Sequence, residues 1–278
     1  MLTFVFADGE APAPGRKVNE WFDDDGEITA RGFIGADMRW IDWPRAGVFA
    51  ISTGSNEVRI WPEPGARREV VVDTFFRAQP IILQALGWQA LHASATVGPS
   101  GVFAFCGRAG SGKSTLAFAM QQAGWRQFAD DAVVLRLDRD VVAACPLSFT
   151  PRLRPASRVH FAHASPLPSS PHLHPSEVPL HAVFLLRQDA ALSGPCVSLM
   201  PQAKAFSEVL AHAHCFDPVD PVHSRRLAES YLGLAARVPV FMLEYRPGLQ
   251  HLPRLTHAVL EAAASFCHDP AGPARLLA

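Results

Sequence analysis

The chain reads as an α/β protein, a strand–helix layer preceded by a small β-rich module. Three observations predict this. Beyond about residue 90, short apolar runs alternate with helical segments, the pattern of an α/β layer. Within that alternation, Gly107-Arg108-Ala109-Gly110-Ser111-Gly112-Lys113-Ser114 matches G-x-x-x-x-G-K-[ST] and lies between a strand and a helix. Ahead of it, residues to about Val72 form short alternating runs separated by turn residues.

Taken in order, the module (1–72) shows alternation in Met38–Trp43, Val48–Ile51 and Val58–Trp61. Pro44, Gly47, Gly54, Asn56, Pro62, Pro64 and Gly65 separate these runs. Trp21, Trp40, Trp43 and Trp61 fall here. They are expected to form the core of a small antiparallel sheet rather than a base-stacking platform. The second domain (73–278) opens with Asp73 as cap of a helix over Thr74–Leu86, interrupted by Pro80 and closed by Gly87. A strand follows over Ala90–Val97, then a turn, then the strand Val102–Cys106 that feeds the glycine-rich sequence. A helix over Thr115–Ala123 ends at Gly124, and Ala132–Leu137 is the next strand. From Cys145 to Pro179 the chain is rich in Pro, Ser and His and is expected to be a long loop, either a lid or an insertion. Later elements are a strand at Ala182–Leu186, helices near Ala203–His212 and Arg225–Arg237, a strand at Val240–Tyr245 and a helix over Leu252–Ser265.

The glycine-rich sequence carries the chemistry. Its glycines let backbone N–H groups converge on anionic oxygens, and the helix start adds partial positive charge. Residues 107–115 are the expected nucleotide-binding stretch: Gly107, Arg108, Ala109, Gly110, Ser111, Gly112, Lys113, Ser114 and Thr115. Lys113 would reach the β- and γ-phosphates, and Ser114 would ligate magnesium.

Composition narrows the partners. The chain has 278 residues, 49% hydrophobic and 18% charged, with net charge −1. That balance describes a globular protein and argues against a nucleic-acid partner held by counterion release. The five cysteines (106, 145, 196, 215 and 267) include no C-x-x-C pair, so neither a zinc site nor a disulfide framework is expected. The first residues lack a signal-peptide pattern, and no apolar run approaches a membrane span. The expected location is the cytoplasm.

Phosphoryl transfer needs a metal ligand and a group that positions or deprotonates the acceptor. Asp130-Asp131 offers two carboxylates, which an extended backbone would point to opposite sides. Alone, the pair also fits an exposed turn. His92 precedes the strand leading into the loop; if that strand pairs with its neighbour, the ring comes close to the phosphate end. Taken by itself, His92 reads as a satisfied histidine at a strand end.

Together, Leu91-His92-Ala93-Ser94-Ala95, the loop through Ala117, Gly124 and Phe128-Ala129-Asp130-Asp131 resemble the HPr kinase/phosphorylase superfamily. The resemblance is closer to HPr-kinase-like proteins encoded beside peptide-modification genes, including lasso-peptide kinases, than to HPr kinase itself. It covers about residues 70–150 clearly and extends weakly through Val178–Leu186 and Val238–Val240. It implies a P-loop kinase core like that of phosphoenolpyruvate carboxykinase, using ATP and Mg²⁺ to phosphorylate serine. It also implies a homo-oligomer. By residue, it gives His92 a place beside the phosphates, Lys113 and Ser114 the nucleotide and metal, Asp130 the base and Asp131 the metal. Arg154 corresponds loosely to an arginine that contacts transferred phosphate or acceptor.

Two departures qualify it. Thr115 replaces an acidic residue after K-S, and the glycine-bearing signature loop of the bifunctional enzymes is missing. Both argue against phosphorylase activity and against HPr as substrate. The expected activity is transfer of γ-phosphate to a seryl hydroxyl of a peptide or small protein, with no nucleic-acid or membrane partner. A small-molecule kinase of the same fold and a weakly catalytic nucleotide-binding scaffold are the alternatives.

Overall fold

The computed structural model describes residues 2–11, 13–22, 26–138, 141–149, 153–162 and 177–267. It is a mixed α/β structure with two sheets. In chain order, the elements begin with β1 (Thr3–Phe6), β2 (Arg16–Phe22), β3 (Ile28–Ile34), β4 (Met38–Trp43), β5 (Gly47–Ser52), β6 (Glu57–Pro62) and α1 (Arg68–Ala85). Next come β7 (Gln89–Leu91), β8 (Ala93–Gly98), β9 (Gly101–Cys106), α2 (Lys113–Gln122), β10 (Arg126–Ala129), β11 (Val133–Leu137), β12 (Val142–Cys145) and α3 (Pro155–His160). The last are β13 (Val178–Gln188), β14 (Cys196–Leu199), α4 (Gln202–Leu210), α5 (Pro221–Arg237), β15 (Val240–Tyr245), a 3₁₀ turn (Leu249–His251) and α6 (Leu252–Cys267). Two compact units divide the chain: Met1–Ala90 with His214–Glu229, and Leu91–Ala213 with Ser230–Ala278.

The first unit is a six-stranded sheet in the order β1-β6-β5-β4-β3-β2. Its pairings are antiparallel except at one edge, where β1 runs parallel to β6 with Phe4 opposite Val58. A parallel edge cannot come from a hairpin, so neighbouring sequence runs do not reveal it. Of the four tryptophans expected as its core, Trp40 is buried, while Trp21, Trp43 and Trp61 are half-buried. Ile41, Phe49, Ile51, Val58 and Ile60 fill the interior instead.

Helix α1 packs on β4 and β5 and belongs to this unit, although the sequence reading places it in the second domain. The helix starts at Arg68, and Asp73 is an exposed residue within it rather than its cap. Val71, Phe75, Ala78 and Ile82 form one buried stripe at helical spacing, and Phe75 meets Phe4 at 4.6 Å between ring centroids. Burying one such side chain contributes about 1.5–3 kcal/mol, against about 1 kcal/mol for a good cap. The stripe therefore sets where the helix begins, and the helix also runs through Pro80.

Residues His214–Glu229 return to the same unit through specific bonds. Phe216 donates its N–H to Gln84 Oε1 (2.5 Å), and Asn19 donates to the Cys215 carbonyl (2.9 Å). His214 donates to the Ala90 carbonyl (2.8 Å).

The second unit centres on β9, β13 and β15, three parallel strands. β8 runs antiparallel to β9, β10 antiparallel to β8, and β14 antiparallel to β15. The long β13 also pairs at its start with β12, which pairs with β11. All of β9 and the middle of β13 are buried, as continuous Val, Phe and Ala runs require. Helices α2 and α6 pack together, and Phe103, Phe105, Phe184, Phe241, Leu116, Met120, Leu255 and Val259 share one core.

Two expectations shift here. The strand expected over Ala90–Val97 breaks at His92 into β7 and β8. The Pro-rich stretch after Cys145 includes helix α3, with Pro155 at its first turn, where a missing N–H costs little. Ser165–His172, expected to be irregular, lies outside the described residues. Among the described residues no helix is long and apolar enough to cross a membrane.

Candidate phosphate-binding site

Parallel strands gather their carboxyl ends on one edge of a sheet, where α/β proteins build ligand sites. β9 ends at Cys106 and leads straight into Gly107–Gly112; Lys113 then opens α2. Antiparallel pairing brings two further segments to this edge. Ala93 of β8 lies opposite Cys106, which places His92 at the mouth of the loop. Ala129 of β10 lies opposite Ala95, which brings Asp130 and Asp131 there as well.

The loop requires its glycines. A Cβ on Gly107 (φ 155°) would come within 2.6 Å of Ser111 Oγ and 3.0 Å of the Leu186 carbonyl. Gly112 is left-handed (φ 88°) at the N-cap of α2, a conformation costly to side chains. Within the loop, Ser111 N–H donates to the Arg108 carbonyl (3.0 Å). Lys113 Nζ donates to the Gly107 carbonyl (2.8 Å) and the Arg108 carbonyl (3.4 Å). Burial holds the Lys113 ammonium below the usual lysine range, while the nearby Asp131 and Asp130 oppose that shift.

Two residues missed by the sequence reading brace the loop from neighbouring strands. Gln188 of β13 and Tyr245 of β15 are register partners. The Tyr245 hydroxyl donates to the Ser111 carbonyl, and Gln188 Nε2 donates to the Gly110 carbonyl (3.3 Å). A third brace joins α2 to α3, where Thr115 Oγ1 lies 2.9 Å from the buried Ser157 Oγ. No local motif marks these residues; strand register and helix packing bring them together.

The acidic pair lies in a bend between β10 and β11, not on extended backbone, so alternation does not set its directions. Asp131 is left-handed (φ 74°), one of two such non-glycine residues among those described. Ser94 Oγ donates to Asp130 Oδ1 (2.7 Å) and lies 3.4 Å from Ser114 Oγ. Asp131 instead approaches His92, Oδ1 to Nδ1, at 3.5 Å. Burial, and then the Lys113 ammonium, push His92 below the usual histidine range; Asp131 and Asp130 pull it partly back. His212 was also missed: its carbonyl accepts the His92 N–H (2.8 Å). Burial, then Lys113 and His92, lower its titration too. Ser94 lies in the Leu91–Ala95 segment that carries the family resemblance, two residues after His92.

A cavity of about 390 Å³ joins these parts. Its walls include Ala109, Gly110, Gly112, Lys113, Ser114 and Thr115, together with His92, Asp131 and Arg154. Arg154 lies over the loop, its Nη1 3.4 Å from where a Gly110 Cβ would sit. The remaining wall is more apolar, with Tyr245, Leu249, Leu252 and Leu255. The volume falls within the usual range for small-molecule sites.

Among the described residues no group of three or more His, Cys, Asp or Glu side chains is placed to hold a metal ion. Magnesium at a phosphate loop needs fewer protein ligands, because phosphate oxygens and water complete its octahedron. Ser114, with Asp130 connected to it through Ser94, fits that hard, all-oxygen chemistry.

No protein-family model matches the chain, and no curated protein matches it significantly in sequence. Among solved structures it is similar to the Hpr(Ser) kinase/phosphatase from Coxiella burnetii at 12% identity and a TM-score of 0.35. That match covers 64% of this chain and 98% of the other, making it a distant structural neighbour.

Proposed function

We propose that the chain is an ATP- and Mg²⁺-dependent phosphotransferase that moves the γ-phosphoryl group to a seryl hydroxyl of a peptide or small protein. The observation that carries this reading is one cavity whose walls include the glycine-rich loop, Lys113 and Ser114 together with His92 and Asp131. A phosphate loop alone supports only nucleotide binding. A histidine and an exposed carboxylate lining the same cavity would supply the second half of a transfer site.

The loop amides would hold the phosphates, and Lys113 would exchange its loop carbonyls for phosphate oxygens. Magnesium, when bound, would neutralise charge on the β- and γ-phosphate oxygens. Arg154 reaches the cavity where transferred phosphate would pass. His92, held neutral near pH 7 by its lowered titration, would donate or accept one hydrogen bond rather than supply charge. A carboxylate of the acidic pair would take the acceptor proton as the new O–P bond forms and ADP departs. Most of the acceleration in such a transfer comes from positioning and electrostatics.

The test uses the full chain, MgATP labelled at the γ-phosphate and a panel of serine-containing peptides. Label should appear on serine, and Lys113→Met should reduce transfer by about 10²–10³-fold. ATP binding without label on any acceptor would reduce the proposal to a nucleotide-binding protein.

A further inference from the structure

We infer that the two acidic residues divide their work through Ser94: Asp130 serves the metal side of the site, and Asp131 receives the acceptor proton. This rests on the phosphotransferase reading above and reverses the assignment that family resemblance implies. Four observations carry it.

Asp130 is tied inward. Its carboxylate accepts the Ser94 hydroxyl at 2.7 Å, and the same hydroxyl lies 3.4 Å from Ser114, the expected magnesium ligand. Ser94 is fully buried, so its oxygen has a fixed position between the two. A buried hydroxyl bridging a carboxylate and a metal-ligating serine orients oxygens toward one cation, as supporting groups do around metal sites.

Asp131 is turned outward. Its side chain is 65% exposed and walls the cavity together with His92. Its backbone is left-handed (φ 74°), and its carboxylate approaches His92 where that of Asp130 meets Ser94. A non-glycine residue in that region carries strain, which persists where the surrounding structure uses it. An acceptor hydroxyl arriving from solvent meets Asp131, whereas Asp130 is engaged by Ser94.

In the resulting step, the seryl O–H bond breaks and its proton passes to an Asp131 carboxylate oxygen. The seryl oxygen forms its bond to the γ-phosphorus as the bond from phosphorus to the β-bridging oxygen breaks, and that electron pair leaves on ADP. Ser94 touches neither reactant and is a positioning residue.

The test compares binding with turnover in the full chain. Calorimetry would measure affinity for a non-hydrolysable ATP analogue with and without Mg²⁺, and slow MgATP hydrolysis would report turnover with water as acceptor. Asp130→Asn and Ser94→Ala should lose about 10–100-fold of the Mg²⁺-dependent gain in affinity while keeping the metal-free affinity. Ser94→Thr, which retains the hydroxyl, should restore that gain. Asp131→Asn should keep the Mg²⁺ gain and slow turnover by about 10²–10⁴-fold. Asparagine tolerates the left-handed backbone, so this variant stays readable even if Ser94→Ala fails to fold. The opposite pattern, with the Mg²⁺ gain lost in Asp131→Asn and kept in Asp130→Asn, would overturn the division. A wild-type chain that binds no analogue with or without Mg²⁺ would instead overturn the phosphotransferase reading beneath it.

Discussion

The two units of this chain use polar side chains in opposite ways. In the first unit they close on one another. Asp217, 2% exposed, receives Arg16 at 3.1 Å and the backbone N–H groups of Val219 and Asp220. Gln84 accepts the Phe216 N–H and lies 2.8 Å from His223 Nε2. In the second unit the polar groups line up along one sheet edge and wall a cavity: Lys113, Ser114, Asp131 and His92. The difference follows from strand direction. Parallel β9, β13 and β15 deliver their carboxyl ends together, so the phosphate loop, Gln188 and Tyr245 meet there. A mostly antiparallel sheet sends its connections to both ends and gathers no such edge.

The largest effect expected comes from emptying each core. Phe184, fully buried and stacked on Phe241 at 5.1 Å between centroids, lies in β13 four residues before Gln188. Phe49, in β5, is 1% exposed. Changing either to alanine should cost about 3–5 kcal/mol in denaturant unfolding. Only Phe184→Ala should also weaken nucleotide-analogue affinity in the folded protein, because its strand braces the loop. Equal weakening by Phe49→Ala would erase the contrast between the units.

A middle-sized effect tests the closed polar network. Gln84→Ala strands the buried Phe216 N–H and should cost about 1–3 kcal/mol of stability. Analogue affinity measured by calorimetry should match wild type. A stability change near zero would mean that Gln84 does not hold the returning segment.

The smallest effect is a pH dependence shared by both units. His92, His181 and His212 in the second unit and His223 in the first all titrate below the usual histidine value, chiefly through burial. The unfolded chain therefore binds more protons than the folded one as pH falls below about 6.5, and stability rises with pH across that window. Melting temperature should be higher at pH 7.5 than at pH 5.5. Replacing His92 or His212 with glutamine should flatten the slope. An unchanged melting temperature across the window would contradict the shared direction.

Much of this architecture is legible from local pattern. The strand β15 falls on Val240–Tyr245 as its apolar run predicts, and β4 falls on Met38–Trp43. The phosphate loop, α2 and the closing Gly124 (φ 97°) follow from glycine placement and helical spacing. Strand β1 and its parallel edge were not legible, because their pairing partner lies more than fifty residues away. The start of α1 was misplaced because a plausible cap, Asp73, competed with a buried apolar stripe that contributes more.

The sequence by itself determined the glycine-rich loop: glycine spacing, a lysine and a serine at a helix start are local constraints, satisfied within one turn of chain. It also named the acidic pair and His92 as candidates. Only the tertiary structure decided which carboxylate turns inward and which outward. That choice depends on Ser94 from β8, the bend after β10 and the left-handed backbone of Asp131. These come from segments far apart in sequence, and only strand pairing sets the distances between them.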